Sequence, residues 1–158
     1  MDLALAIGYG PEILTNLDGL GPLVVEQNVA VVGFRGDMSI YGELISGPRR
    51  PDFLWNSLED VRRHGPKNLA ESALSHFQLR DLRGFWIHLD IDVLDDEVMQ
   101  AVDSRQPDGL KYAELGNLLK VLLGSPHAVG LDMTILDPER DPDGATIDAF
   151  VDFLERLF

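Results

Sequence analysis

The alternation of strand-like and helix-like segments constrains the fold of this chain more than any other feature of its sequence. Apolar runs at 29–34, 84–92 and 127–136 read as buried strands. Helical spacing of leucines and aromatic residues predicts an amphipathic helix over 111–123 and another at the carboxyl terminus. Strands that alternate with helices build a parallel sheet flanked by helices. The sequence therefore predicts an α/β fold, with residues 1–158 in a single domain.

The region between the first two strands has weaker signals. In chain order we predict a loop rich in Gly, Pro and Arg at 42–52 and a short strand at 53–55. Two helices follow at 57–63 and 67–78, separated by His-Gly-Pro. Ser57 is predicted to cap the first of these helices, because Asp60 follows three residues later as in a capping box. The tryptophans, Trp55 and Trp86, are predicted to lie in the core.

Composition excludes several classes of protein. The chain has 13 Lys and Arg against 27 Asp and Glu, a net charge of -14, whereas nucleic-acid binding depends on cationic contacts to phosphates. No apolar run reaches the roughly 20 residues that span a membrane. The absence of cysteine rules out disulfides, thiolate zinc sites and cysteine nucleophiles, and it fits a reducing compartment. We expect a cytoplasmic protein that binds neither nucleic acid nor membrane.

A pair of carboxylates interrupts the second strand, in "GFWIHLDIDVLDDEVM" (84–99). Because side chains alternate along a strand, His88, Asp90 and Asp92 are predicted to share one face. A buried charge is costly unless it is paired or binds a metal, and ligands of open α/β sheets bind beyond the carboxyl ends of the strands. The pair could therefore hold a hard ion such as Mg²⁺ or Mn²⁺. Alternatively, one Asp caps the next helix and the other faces solvent.

Three motifs occur in an order that resembles the arginase/agmatinase/formiminoglutamase (ureohydrolase) family: "HLDIDVLD" (88–95), "QPDGL" (106–110) and "LDMTILDP" (131–138). The resemblance implies the three-layer arginase-like fold and hydrolysis of linear C–N bonds in guanidino or amidino compounds. In that family two Mn²⁺ ions share a bridging hydroxide that attacks a guanidinium carbon of a small-molecule substrate. By this resemblance Asp90 and Asp92 are metal ligands, and Asp132 supports the site. His88 shares their strand face, so it could support the site or bind the ion; the alternative that its type favours is a hydrogen-bonded histidine of the core.

The chain also departs from the family pattern. The family's upstream ligands, a His after Gly-Gly-Asp and an Asp-Ala-His-x-Asp cluster, have no match before residue 84, where the histidines are His64 and His76. We therefore expect the carboxyl-terminal portion of the family fold, incomplete at its amino terminus and inactive alone. Ile135 stands where the family has a guanidinium-reading Glu, and Asp108 replaces a Gly of the Gly-Gly-Leu turn.

Two other functions remain open from the sequence. In a haloacid-dehalogenase-like phosphotransferase, Asp90 would be the nucleophile, Asp92 the acid/base and Mg²⁺ the cofactor, although that family normally carries the motif near its amino terminus. Alternatively, the chain is a non-catalytic α/β domain that binds a partner. Exposed apolar residues along an open sheet edge would favour that second alternative, and unpaired strands could also lead to a homo-oligomer.

Overall fold

The computed structural model describes residues 2–35 and 53–158, so the loop predicted over 42–52 lies outside the described residues. The described residues divide into two compact units, unit 1 (2–31 and 53–55) and unit 2 (32–35 and 56–158). The assignment of 1–158 to a single domain stays a prediction. No helix in the described ranges is long and apolar enough to cross a membrane.

The order of elements follows the predicted alternation closely. The helices are α1 (Asp2–Ala6), α2 (Glu12–Thr15), α3 (Leu58–His64), α4 (Pro66–Gln78), α5 (Tyr112–Leu123) and α6 (Ala145–Glu155). The strands are β1 (Ala30–Phe34), β2 (Leu54–Ser57), β3 (Phe85–Asp90) and β4 (Ala128–Thr134). β1 and β2 form one two-stranded sheet, and β3 and β4 form another.

Unit 1 consists of short helices and turns with little apolar burial. The Val24 backbone N–H donates to the carbonyl of Ala6 (3.0 Å), and the Tyr9 hydroxyl donates to the Glu26 carboxylate (3.2 Å). Many of its large apolar side chains are exposed: Ile13, Leu14, Leu17, Leu20, Leu23, Val24 and Val25. Ile7 is a buried exception.

Unit 2 contains a parallel sheet with helices against one face. β3 pairs with β4 in parallel, which confirms the predicted α/β arrangement. Ile87 and Leu89 are buried, and Phe77 of α4 stacks on Phe85 with ring centroids 5.3 Å apart, so α4 lies against their face. Helical spacing correctly identified the buried side of α5, which carries Leu115, Leu118, Leu119 and Leu122. Each such side chain contributes about 1.5–3 kcal/mol on full burial.

The junction between β2 and α3 confirms the predicted capping box. Asp60 donates its backbone N–H to the Ser57 hydroxyl oxygen (3.2 Å), and the Asp60 carboxylate accepts from the Ser57 hydroxyl (2.7 Å) and backbone N–H (2.8 Å). These bonds, the side-chain bond first, hold the pKa of Asp60 below its usual value. Gly65 then breaks the helix with φ 83°, and Pro66 begins α4, because proline is tolerated in the first helical turn.

The sequence was wrong about the end of β3. The strand ends at Asp90, and Ile91–Val93 forms a 3₁₀ turn in which the Leu94 N–H donates to the Ile91 carbonyl (3.1 Å). The turn buries both Ile91 and Leu94, which a straight strand could not do on one side. Asp92 therefore does not share the strand face of His88 and Asp90.

The predicted burial of the aromatic residues was also partly wrong. Trp86 is 60% exposed, because it lies on the face of β3 opposite to Ile87 and Leu89, and Trp55 is only partly buried. The predicted terminal helix is present as α6, and Phe153 stacks on Tyr112 of α5 at 4.9 Å. Its spacing of apolar residues predicts one buried face that includes Phe150, Val151 and Phe158. Phe150 is buried (3% exposed), whereas Val151 (45%) and Phe158 (77%) are exposed.

Candidate functional site

The predicted site residues of β3 and β4 meet across the parallel sheet. The strand register places His88 beside Asp132 and Asp90 beside Thr134, at the carboxyl ends of both strands. All four side chains leave the sheet on the face opposite to the buried Ile87. The structure thus brings His88, Asp90 and Asp132 together and adds Thr134.

The Asp90 carboxylate is held through one of its two oxygens. Asp90 Oδ1 accepts a hydrogen bond from the Thr134 hydroxyl and lies 3.3 Å from His88 Nε2. Among the described residues no donor contacts Oδ2. The carboxylate is therefore oriented by its neighbours through Oδ1, although about half of the side chain is exposed to solvent.

Asp132 supports the same cluster from β4. Its carboxylate accepts from Trp86 Nε1 and lies 2.6 Å from His88 Nδ1. The hydrogen bond from the Trp86 indole, followed by that from His88, holds the pKa of Asp132 below its ordinary value. His88 therefore bridges Asp132 and Asp90, and the supporting roles of His88 and Asp132 stay predictions. Nothing in the sequence pattern indicated that Trp86 belongs to this network.

Asp92 lies in the 3₁₀ turn that follows β3 and is half-buried. Burial raises the pKa of its carboxyl, the negative charge of Asp90 raises it further, and the Arg35 guanidinium partly opposes both. Arg35 also braces the turn, because it donates to the backbone carbonyls of Asp92 and Gln106, the latter at 2.8 Å. Because burial and the neighbouring charge of Asp90 both disfavour the ionised form of Asp92, a bound cation beside it would be stabilising.

The third aspartate of the motif, Asp95, has a structural role that sequence reasoning missed. Its buried carboxylate accepts the backbone N–H groups of Glu97 (2.9 Å) and Gly109 (3.0 Å), and Lys111 Nζ lies 3.1 Å away. These bonds, the one from Glu97 first, lower the pKa of Asp95 to about 2. Asp95 thus ties the turn after β3 to the Gln-Pro-Asp-Gly-Leu segment.

The Gln-Pro-Asp-Gly-Leu turn itself depends on two unusual backbone positions. Asp108 has φ 67°, the left-handed region that glycine adopts most freely. At Gly109 a Cβ would lie 2.3 Å from the backbone N of Asp95 and 2.4 Å from the carbonyl carbon of Leu94. Two backbone segments approach closely here, and this approach requires glycine at 109. The glycine in the Gln-Pro-Asp-Gly-Leu motif is therefore the sequence feature that could have indicated the role of Asp95.

The carboxylates match the oxygen ligands that Mn²⁺ and Mg²⁺ prefer, but they do not form a complete centre. The residues in 2–35 and 53–158 contain no group of three or more His, Cys, Asp or Glu side chains that could hold a metal ion. An octahedral ion takes about six ligands, so Asp90 and Asp92 alone do not fit a binuclear site.

Ile135 is the first residue after β4 and has a strained conformation. It follows Thr134 directly, its φ is 73°, and it is 40% exposed. A β-branched residue in the left-handed region costs about 1–3 kcal/mol and is often found at a functional position. Its apolar side chain cannot pair with a cationic group.

Comparison with known proteins gives a consistent result. The model of the arginase family matches residues 20–158. The arginase of Brevibacillus brevis is 26% identical over 158 residues, covering 100% of this chain and 52% of that protein. The arginase of Bacillus subtilis (strain 168) is 25% identical over 161 residues, covering 99% and 51%. The chain therefore spans about half the length of the curated relatives it matches.

Solved structures agree at the level of the fold. Arginase from Bacillus cereus superposes with a TM-score of 0.84 at 24% identity, over 100% of this chain and 53% of that one. Arginase from Bacillus caldovelox gives a TM-score of 0.83 at 22% identity, over 99% and 51%. These similarities confirm the predicted arginase-like α/β fold and its extent, which corresponds to about half of each related structure.

Proposed function

Because the chain belongs to the arginase family, we propose that it supplies part of the metal centre of a hydrolase acting on linear C–N bonds. The observation that carries this proposal is the arrangement of Asp90 and Asp92. Asp90 is oriented at the carboxyl end of a parallel strand, and Asp92 is half-buried in the next turn with a raised pKa. Ligands of open α/β sheets bind at this end of the strands.

The proposed ion is Mn²⁺, with Asp90 and Asp92 as two of its oxygen ligands. His88, Thr134 and Asp132 position the Asp90 carboxylate and do not themselves contact the ion. Since two carboxylates leave most coordination positions to water, the chain alone binds the metal weakly and does not catalyse. Membership of the arginase family also removes the reason for the phosphotransferase alternative, which rested on the same two aspartates.

The proposed substrate is a small guanidino or amidino compound. Arginine and agmatine do not follow from the family alone, because Ile135 offers no charge to a guanidinium group. A net charge of -14 argues against nucleic acid as a partner. The proposed location of the protein is the cytoplasm.

Calorimetric titration with Mn²⁺ tests the ligand assignment directly. We expect weak binding by the wild-type chain and none by the Asp90→Asn/Asp92→Asn variant. The matched control is Asp148→Asn/Asp152→Asn, which removes the same charge from two exposed positions of α6. The control should bind as the wild type does.

Two results would refute the assignment. If the control loses binding as completely as Asp90→Asn/Asp92→Asn, the ion is held by the general acidity of the surface. If Asp90→Asn/Asp92→Asn binds as well as the wild type, neither aspartate is a ligand.

A further inference from the structure

A groove lies between α5 and α6 in unit 2. Tyr112 and Gly116 line it from α5, and Phe153 and Leu157 line it from α6 and the turn that follows. Its volume is about 320 Å³, and pockets that hold small organic molecules measure about 300–1,000 Å³. The groove is therefore large enough for a small organic ligand. We call the surface formed by these four residues the aromatic floor.

The aromatic floor depends on the glycine inside α5. Glycine within a helix is about 0.5–1 kcal/mol less favourable than alanine, and a Cβ at Gly116 would meet the Phe153 ring at 3.2 Å. Without that Cβ the Phe153 ring lies close to α5 and stacks on Tyr112, with ring centroids 4.9 Å apart. The Tyr112 hydroxyl donates to the Val98 carbonyl (3.2 Å), which restricts its ring. The aromatic floor is therefore held in place before a ligand binds, and this lowers the entropic cost of binding.

Polar side chains line the groove beside the aromatic floor. They are Asn117, Lys120 and Arg156, of which Lys120 and Arg156 are exposed and Asn117 is half-buried. Lys120 follows Gly116 by about one helical turn, and Arg156 follows Phe153 by a similar distance along the chain. Each cation therefore lies about one turn beyond the contact between Gly116 and Phe153, on its own side of the groove.

The charges at the groove add up to a positive excess. Arg156 Nε donates to the Asp152 carbonyl (3.0 Å), and its Nη2 lies 3.5 Å from the Asp152 carboxylate. The Lys120 ammonium has no such partner among the residues in 2–35 and 53–158. Asp152 thus offsets one of the two cations, and none of the described residues that line the groove is acidic. The remaining charge favours a ligand with a single negative charge.

We propose that the groove binds a small aromatic carboxylate. The carboxylate accepts hydrogen bonds from the Lys120 ammonium and from the N–H groups of Arg156 that Asp152 leaves unused, and the ligand's ring lies on the aromatic floor. A guanidinium group has five N–H donors in a plane that matches a carboxylate, and contact between aromatic rings is stabilising beyond the burial of their area. The groove shares no residue with the cluster at the carboxyl ends of β3 and β4, so this proposal does not rest on the proposed function.

Titration of the isotope-labelled chain with phenylacetate, followed by nuclear magnetic resonance, tests the proposal. We expect a dissociation constant in the millimolar range, as is usual for a ligand of this size, and shifts of the Gly116 backbone N–H and the Asn117 side-chain amide. Phenylacetamide has the ring without the charge, and acetate has the charge without the ring. Each should bind about tenfold more weakly or worse, because it loses either the charge-assisted hydrogen bonds or the contact with the aromatic floor.

Charge variants locate the carboxylate of the ligand. Lys120→Gln/Arg156→Gln should weaken phenylacetate binding about tenfold or more, because both charged donors are lost, and should leave phenylacetamide binding unchanged. The matched control is Lys67→Gln/Arg83→Gln, which removes the same charge from two exposed positions outside the groove. The control should bind phenylacetate as the wild type does.

A size variant locates the ring of the ligand. Ala113 is exposed and lines the groove, so Ala113→Leu places a larger side chain there without disturbing the core. This variant should bind phenylacetate and phenylacetamide more weakly than the wild type. Ala149→Leu makes the same change at an exposed position of α6 outside the groove, and binding of both compounds should be unchanged.

Other results would overturn the proposal. Absence of phenylacetate binding, or shifts that leave Gly116 and Asn117 unmoved, would show that the groove is not the site. Equal binding of phenylacetate and phenylacetamide would remove the role of the cations, and equal binding of phenylacetate and acetate would leave an adventitious ion only. An equal loss in Lys67→Gln/Arg83→Gln would assign binding to the overall charge. A wild-type oligomer that Ala113→Leu dissociates would assign the groove to a second copy of the chain.

Discussion

Substitution of Gly109 by alanine tests the contact that joins the two motifs of the site. The new Cβ would lie 2.3 Å from Asp95 N, 2.4 Å from the Leu94 carbonyl carbon and 2.6 Å from Asp95 Cα. All three are backbone atoms, so the clash cannot be relieved by rotating a side chain. The two segments must move apart, and this weakens the bond from Gly109 N–H to the Asp95 carboxylate (3.0 Å).

The expected loss in the free energy of unfolding is about 3 kcal/mol or more, at the upper end of the range for overpacked sites. Such a loss is a large fraction of the roughly 5–15 kcal/mol that stabilises a domain. The assay is urea unfolding followed by far-ultraviolet circular dichroism, with the free energy extrapolated to water.

Gly116→Ala is the matched control. Its Cβ would meet the Phe153 ring at 3.2 Å, and a ring edge can shift where a backbone cannot. Because alanine is favoured over glycine inside a helix by about 0.5–1 kcal/mol, this variant should be close to the wild type or slightly more stable. A Gly109→Ala variant within about 1 kcal/mol of Gly116→Ala would show that the close approach, and the argument for Asp95, are wrong.

Two further predictions concern the same unit. The pKa of Asp95 is lowered from 3.8 to about 2 on folding, so its contribution to stability is present above pH 4 and is lost as the pH falls toward 2. Asp95→Asn should therefore be less stable than the wild type at pH 6, and acid unfolding should show this difference in stability shrinking below pH 4. A difference that stays constant with pH would contradict the assignment. Gly130→Ala should displace the exposed Trp86 ring and break its hydrogen bond to Asp132, with little loss of stability. Tryptophan emission should then shift to longer wavelength. Unchanged emission would show that the ring does not rest on Gly130.

The sequence determined the elements that depend on neighbours along the chain. The capping box of Ser57 and Asp60 involves residues three apart, and the buried side of α5 follows from helical period alone. The parallel direction of β3 and β4 followed from the alternation of strands with helices. That the two strands are neighbours, and that His88, Asp90 and Asp132 therefore form one cluster, was decided by the tertiary structure.

Only the tertiary structure decided which carboxylate does what. Asp90, Asp92 and Asp95 are equivalent as acidic side chains, but Asp90 lies on an uncovered strand face, Asp92 in a half-buried turn and Asp95 against the backbone of Gly109. The exposure of Trp86 was equally beyond the sequence, since an apolar side chain on a strand is buried only if another element packs on its face. Burial and hydrogen-bond partners depend on segments far apart in the chain. The local sequence pattern does not indicate which of these segments pack against one another.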